Sequence, residues 1–260
     1  MKKRETVKTF VYHSFTDDMV ESRNQNYKVP ETYRWVREEP WFQILSGILY
    51  RAARLIGAVY CKCFLHIRIK NREILKEYRH TGFFLYANHT QEIGDVVLPA
   101  WAVRPKRIYT IASTANMGIP VIGKLLPFLG ILPVPESAPQ TRQFLSALDR
   151  RIREGCCVVI YPEAHVWPYY TKIRPFADTS FRFPVEANVP AFCMTLTYQR
   201  RRFGKKPKIT VYLDGPFLAE RGESRKAGQK QLKEDIFACM QKRSRMSDYD
   251  YIHYVKGESQ

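Results

Sequence analysis

The sequence predicts an α/β fold: a single domain with a mixed, largely parallel sheet flanked by helices, preceded by an amphipathic, apolar helical segment. Three observations carry this expectation. Short apolar, β-branched runs alternate with stretches of helical period. Two of those runs end in polar turns, the arrangement that presents side chains at the edge of a buried sheet. The 260 residues, 45% apolar and 26% charged, are enough for one large α/β domain and too apolar for a disordered chain.

Taken in order, residues 1–40 are polar without sustained period and read as a partly ordered extension. "MKKRETVKTFVYHSF" has basic residues but no apolar stretch behind them, so it does not read as a secretory signal. Residues 41–66 form a membrane-associating helical segment. Its cations Arg51, Arg54 and Lys62 fall within an arc of roughly 80° at 100° per residue, with Leu45, Leu49, Ile56, Tyr60 and Cys63 on the other side. A narrow basic stripe beside a broad apolar face suits a helix lying in a membrane interface, and equally an ordinary core-packing helix with a wet edge. The uncharged run Trp41–Tyr50 falls short of the roughly 18 residues of a span.

Residues 67–240 hold the domain. "FLHIRIK" reads as a strand, "NREILKEYRH" as a turn and short helix, and "FFLYA" (83–87) as a buried strand. Gly and Pro break Thr110–Pro135 into short helices and turns that lead to a strand near Gly130–Val134. In "QTRQFLSALDRRIREG", Phe144, Leu145, Leu148 and Ile152 share one helical face and Gly155 ends it. Strands follow in "CCVVIY", "VPAFCMTLTY" and "KITVYLDGPF", then a helix in "QKQLKEDIFACMQKRS". Residues 241–260 read as a tail whose last dozen residues are frayed.

The charge balance is lopsided, with 42 Lys+Arg against 25 Asp+Glu and a net charge of +17. Such a surface attracts polyanions of any kind. The basic residues are scattered and no nucleic-acid motif is present, so no nucleic-acid partner is expected. Six cysteines, as C-x-C, C-C and two singles, fit neither a zinc-finger spacing nor a disulfide framework; they read as reduced, mostly buried thiols of a cytosolic protein.

Chemistry concentrates in the two polar turns. "NHTQEIGD" (88–95) follows "FFLYA", and "PEAHVWP" (162–168) follows "CVVIY". Together they offer His89, Glu92, Asp95, Glu163 and His165. A histidine supported by a carboxylate can take a proton from a hydroxyl at neutral pH. No G-x-S-x-G elbow supplies a covalent nucleophile, which favours direct attack by an acceptor hydroxyl. A metal-dependent hydrolase built on His89, Glu92, Glu163 and His165 is a weaker reading, since H-x-x-E on a loop is not a zinc spacing. His13, His66, His80 and His253 read as structural or surface residues.

Four segments, in order, resemble the membrane-associated acyltransferases of glycerophospholipid synthesis, especially the 1-acylglycerol-3-phosphate acyltransferases. "NHTQEIGD" looks like the block that carries a catalytic His and Asp. "MGIPVIGKLLPFLGILPVP", "VVIYPEAH" and "PVEANVPAFCMTLTY" look like the three that follow. The resemblance implies that His89 is the general base and Asp95 its orienting acid. It also implies that Glu163 and His165, with Lys172 and Arg174, contact substrate. The donor would be acyl-CoA or acyl-carrier protein and the acceptor a membrane lysophospholipid, with no metal or other cofactor, at the cytoplasmic face as a peripheral or monotopic protein. The departures are specific. Five residues separate His89 from Asp95 where the family has four, so a one-residue bulge is expected, or Glu92 takes Asp95's place. "GILPVPES" lacks the family's phosphate-holding Arg; Lys172 and Arg174 are the nearest replacements. Ala164 stands where the family has Gly, and His165-Val166 where it has a hydroxyl residue and Arg. A catalytically altered lipid-binding relative and, more remotely, a basic nucleic-acid-binding protein are the alternative functions.

Overall fold

The computed structural model describes residues 8–20, 26–220 and 224–257. The chain begins with β1 (Lys8–Tyr12), and α1 (Pro40–Val59) runs on through a wider π turn at Tyr60–Phe64. There follow β2 (Arg68–Lys70), β3 (Phe83–Ala87), α2 (Gly94–Ala102) and β4 (Ile108–Ala112). Next are α3 (Ile122–Leu125), β5 (Ile131–Pro133), α4 (Ala138–Arg153) and β6 (Cys157–Ile160). The chain closes with α5 (Arg182–Ala187), β7 (Ala191–Gln199), β8 (Lys208–Phe217), α6 (Arg225–Ser244) and β9 (Ile252–Lys256).

Seven strands form one sheet in the order β2-β8-β7-β3-β6-β4-β5. β7, β3, β6, β4 and β5 run parallel. β8 pairs antiparallel with β7, and β2 runs with β8. The sheet is the mixed, mostly parallel one that the alternating pattern predicts. All five residues of β3 are buried, as a central parallel strand covered on both faces requires. Phe83, Leu85 and Ala87 enter one core with α2, while Phe84 and Tyr86 enter the other with α4 and α6. Leu85 pairs with Val159 and Tyr86 with Ile160, so the turns after β3 and β6 leave the sheet side by side at the carboxyl ends of the strands.

Local chemistry explains the flanking helices. Ser137 caps α4 by accepting from the Gln140 N–H, and Gly155 ends that turn at φ +75°. Ser224 caps α6 through the Ala227 N–H, and Leu232, Ile236 and Met240 form its buried seam. Only Arg68–Lys70 of "FLHIRIK" is strand; Phe64 belongs to the end of α1's π turn.

Two segments depart from expectation. β4 lies partly inside a stretch read as helices and turns; its five residues give a run too short for periodicity to decide. The chain ends, read as an extension and a frayed tail, pair with each other as parallel β1 and β9. Tyr12 of β1 packs on Trp167 with ring centroids 4.9 Å apart, and Tyr254 of β9 stacks on the same indole. Val29 and Trp35 of the same N-terminal stretch are buried in the second core.

α1 is apolar on the wrong side for a core helix. Its buried seam is Phe42, Ser46, Tyr50 and Gly57. Trp41, Ile44, Ile48, Leu55 and Ile56 are each more than half exposed. A Cβ on Gly57 would lie 2.7 Å from the Val97 Cβ, so this glycine lets α1 cross closely over α2. Pro40–Phe64 makes 25 continuous helical residues, long and apolar enough by length and composition to cross a bilayer. The interrupting cations, which set a span aside on sequence grounds, do not break the helix.

All six cysteines are free; Cys61, Cys156, Cys157 and Cys193 are buried, Cys239 is half-buried and Cys63 is exposed. Burial pushes the Cys61 thiol up to about 12 and raises that of Cys157 well above its ordinary value.

Candidate functional site

The site grows from the turn after β3. Asn88 anchors it by clamping β7: its Nδ2 donates to the Leu196 carbonyl at 3.1 Å, and its Oδ1 accepts the Leu196 N–H at 2.8 Å. The chain then curls so that the N–H groups of Thr90 and Gln91 both donate to Asp95 Oδ2, at 2.8 and 2.9 Å. This curl accommodates the extra residue between His89 and Asp95. Gly94 is needed at its end, since a Cβ there would come within 2.8 Å of the Gln91 Cβ.

His89 Nδ1 lies 2.8 Å from the same Asp95 Oδ2. An oxygen already accepting two backbone N–H groups is an acceptor, so Nδ1 carries the proton and donates. Nε2 is left with its lone pair, and no hydrogen bond among the described residues engages it. The His89 side chain is 19% exposed and that of Asp95 1%, so the carboxylate is internal and the imidazole reaches the surface. Burial pushes the Asp95 carboxyl up from its ordinary value, opposed by the donors from His89, Gln91 and Thr90. Glu92, the alternative partner, is exposed.

The turn after β6 supplies the rest. Tyr161 stacks on the imidazole, ring centroids 4.3 Å apart, and its hydroxyl donates to the Asp95 carbonyl at 2.6 Å. Burial, with Asp95's charge, holds the Tyr161 phenol well above its ordinary pKa, so it serves as a neutral donor. Glu163 reaches the other way: its Oε2 accepts the His89 N–H at 3.2 Å and the Arg174 Nη2 at 3.1 Å, and its Oε1 accepts the Arg174 N–H at 3.0 Å. Both side chains are fully buried. The two turns are joined by Trp167 N–H to His89 O and Tyr169 N–H to Thr90 O, each 2.9 Å. Tyr198 closes the floor with its hydroxyl 2.7 Å from Thr90 Oγ1 and 3.0 Å from Gln91 Nε2.

Of the residues singled out from the sequence, His89, Asp95 and Glu163 therefore meet in one cluster. Arg174 is in it as well, but turned inward; its guanidinium is spent on Glu163, on the carbonyls of Phe15 and His165, and on the Trp167 ring 4.8 Å away. His165 and Lys172 reach solvent, with His165 Nδ1 3.9 Å from Asp18. Sequence reasoning missed Asn88, Tyr161 and Tyr198. Tyr161 had a signal, being the last residue of a buried strand run in front of a polar turn. Tyr198 had none, because over a hundred residues separate it from Thr90.

Ala164 sits at φ +63°, in the left-handed region that favours glycine. Ala164→Gly is expected to stabilise the protein by about 0.5–1 kcal/mol, the left-handed penalty less glycine's extra chain entropy, read as a higher denaturation midpoint.

Among the described residues, the ligand-type side chains that converge closely enough for a metal ion are Cys193, Asp214 and Cys239. They lie away from His89, and Asp214 is held by Arg243 through both carboxylate oxygens. The hydrolase set His89, Glu92, Glu163 and His165 does not assemble as such a group.

A histidine held by a buried carboxylate stands where the first of the four sequence segments places it, and an outward apolar helix precedes them. Residues 66–197, just over half the chain, match the family model described as Acyltransferase, and the chain belongs to that family. No curated protein sequence matches it. Among solved structures it is similar to the 1-acyl-sn-glycerophosphate (LPA) acyltransferase PlsC from Thermotoga maritima, with 13% identity and a TM-score of 0.57 over 79% of this chain and 83% of that one. At that identity the likeness is one of fold.

Proposed function

We propose that the protein moves a fatty acyl group from acyl-CoA or acyl-carrier protein to the hydroxyl of a lysophospholipid such as 1-acylglycerol-3-phosphate. The observation that carries this is the 2.8 Å contact of His89 Nδ1 with Asp95 Oδ2, which leaves Nε2 as a base. His89 Nε2 takes the acceptor's hydroxyl proton as the oxygen attacks the thioester carbonyl. Asp95 stabilises the imidazolium that forms. The tetrahedral intermediate collapses, the C–S bond breaks, and the imidazolium returns the proton to the leaving thiolate. The Asp95 and Glu163 carboxylates occupy the N–H groups of His89, Thr90 and Gln91, so the donors for the oxyanion come from elsewhere.

Glu163 and Arg174 act as a scaffold under the base, while His165 and Lys172 are the solvent-reaching contacts for the acceptor head group or the donor's phosphates. The outward face of α1, continued by exposed Ile93 and Val96 beside the site, seats the protein in the membrane that holds the acceptor. The side is the cytoplasmic one, where acyl thioesters are found. The test is transfer from labelled acyl-CoA and acyl-carrier protein to a panel of lyso-lipids with and without a phosphate head group. Product whose yield depends on the acceptor head group supports the reading. No product with any pair, from folded and membrane-bound protein, favours the lipid-binding relative without the chemistry.

A further inference from the structure

Away from His89, at the edge of the sheet where the strands begin, two neighbouring cavities of about 430 and 500 Å³ share Arg79, Arg104 and Pro105 in their walls. The first is lined by the segment before β3 and the link from α2 to β4, the second by α1 and the end of α2. Arg72, Lys76 and Lys106 add cations to the first, and Arg51 and Arg54 to the second; Glu73 is the single carboxylate in either wall. From Asp95 to Ala102 along α2 is about 10 Å at 1.5 Å per residue, so this cleft and the candidate site lie at opposite ends of that helix.

Three of the cations are structural. Arg72 holds the carbonyls of Trp101 and Ala102. Lys106 holds those of Arg79, Thr81 and Gly155, and Arg54 that of Pro105. Arg51, Lys76, Arg79 and Arg104 make no ion pair among the described residues. Like charges gathered around a single carboxylate repel one another unless a further anion joins them. Burial, and to a lesser extent the neighbouring Arg104, pulls the Arg72 guanidinium below its ordinary pKa.

The position of the cleft favours one kind of anion. Arg51 lies on the outer stripe of α1 between Ile48 and Leu55, which are 57% and 67% exposed, and Leu55 itself forms part of the cleft wall. An occupant would touch guanidinium groups on one side and an exposed apolar helix face on the other. We infer that the cleft bounded by Arg51, Arg79 and Arg104 is a docking site for the phosphate head group of an anionic phospholipid, separate from the His89 site. The bound head group would fix how deeply and at what tilt α1 lies in the leaflet. This inference shares with the proposed function only the membrane seat of α1, and its test reads binding rather than turnover.

The experiment compares sedimentation with vesicles of phosphatidylcholine alone and of phosphatidylcholine with phosphatidylglycerol. The full chain is tested as wild type, as Arg79→Glu/Arg104→Glu, and as a charge-matched control, Lys205→Glu/Lys226→Glu. Thermal unfolding first confirms that each is folded; if the cleft variant is not, Arg79→Gln/Arg104→Gln replaces it. The wild type is expected to prefer the anionic vesicles. The cleft variant should lose that preference by about tenfold or more, at roughly a fivefold loss per surface cation, while binding neutral vesicles through α1 unchanged. The control should keep most of the preference. Equal losses in both variants would overturn the inference in favour of diffuse charge. Titration with inorganic phosphate separates the remaining source: phosphate binding abolished by the cleft variant, without any vesicle preference to lose, would make the site one for a soluble phosphate and overturn the lipid assignment.

Discussion

Asp95→Asn is expected to lower acyl transfer by about 10³–10⁴ while leaving the fold intact, and His89→Ala by at least about 10², with loss of the general base. The geometry behind the first figure is the triple acceptance at Asp95 Oδ2. An asparagine can keep the two backbone N–H bonds through its oxygen, so the curl of residues 89–95 survives. That same oxygen still accepts from His89 Nδ1, so the tautomer is kept as well. A neutral amide cannot balance the imidazolium that forms as the proton is taken, and the rate is lost there. The readout is kcat for acyl transfer at saturating acceptor, with unfolding curves alongside. Glu92→Gln is the discriminating control: its carboxylate is exposed and outside the cluster, so its rate should stay within a few-fold of wild type. A large loss in Glu92→Gln with a mild one in Asp95→Asn would mean that the two carboxylates had been assigned the wrong way round.

The choice between those carboxylates shows what the sequence could carry. Strand, polar turn and apolar segment were visible as a pattern, because a buried central strand is apolar throughout and a turn with His and two acids is not. Which acid meets the histidine depended on two backbone N–H groups folding back onto one oxygen, and residue identities do not encode that. The same limit hid Tyr161 and Tyr198, whose roles are contacts between elements that pairing in the sheet brings together. The chain ends were misread for a related reason. "KTFVY" and "IHYVK" are of ordinary strand length but mostly exposed and set among polar residues. Neither shows the apolar run that marks a buried strand, and they pair only with each other across nearly the whole sequence.

Helix α1 was more legible. Its narrow basic stripe beside a broad apolar face suited a membrane-associating segment, with a core-packing helix as the equal alternative that the pattern alone could not separate. The structure seats it on a narrow seam of Phe42, Ser46, Tyr50 and Gly57, with a close crossing at Gly57, and turns Trp41, Ile44, Ile48, Leu55 and Ile56 outward. A seam of only four buried residues leaves those five, each more than half exposed, as a contiguous uncovered apolar face, and this points to an apolar medium outside.

Arg174→Leu is expected to cost about 3–5 kcal/mol, the usual cost of leaving one partner of a buried pair uncompensated. That corresponds to a fall in Tm of about 10 °C for a domain of this size. The sequence made Arg174 a candidate for a substrate's phosphate; the structure gives it Glu163, two main-chain carbonyls and an indole face instead. Burial already pushes the Glu163 carboxyl above its ordinary value even with Arg174 opposing, and removing Arg174 would push it higher. A carboxyl whose pKa is raised on folding holds its proton more tightly folded than unfolded, so its contribution to stability is present in acid and is lost as pH rises through the folded-state value. The Arg174→Leu defect should therefore be larger at pH 8 than at pH 5 in denaturant titrations. Activity should fall with it, because Glu163 Oε2 also holds the His89 N–H. Glu163→Leu/Arg174→Leu should recover much of the stability, since no buried charge is left unpaired, without recovering the rate, since the backbone under the base remains unheld. An Arg174→Leu protein that keeps its Tm and shows only a raised KM for phosphorylated acceptors would return Arg174 to the substrate and remove the scaffold from under His89.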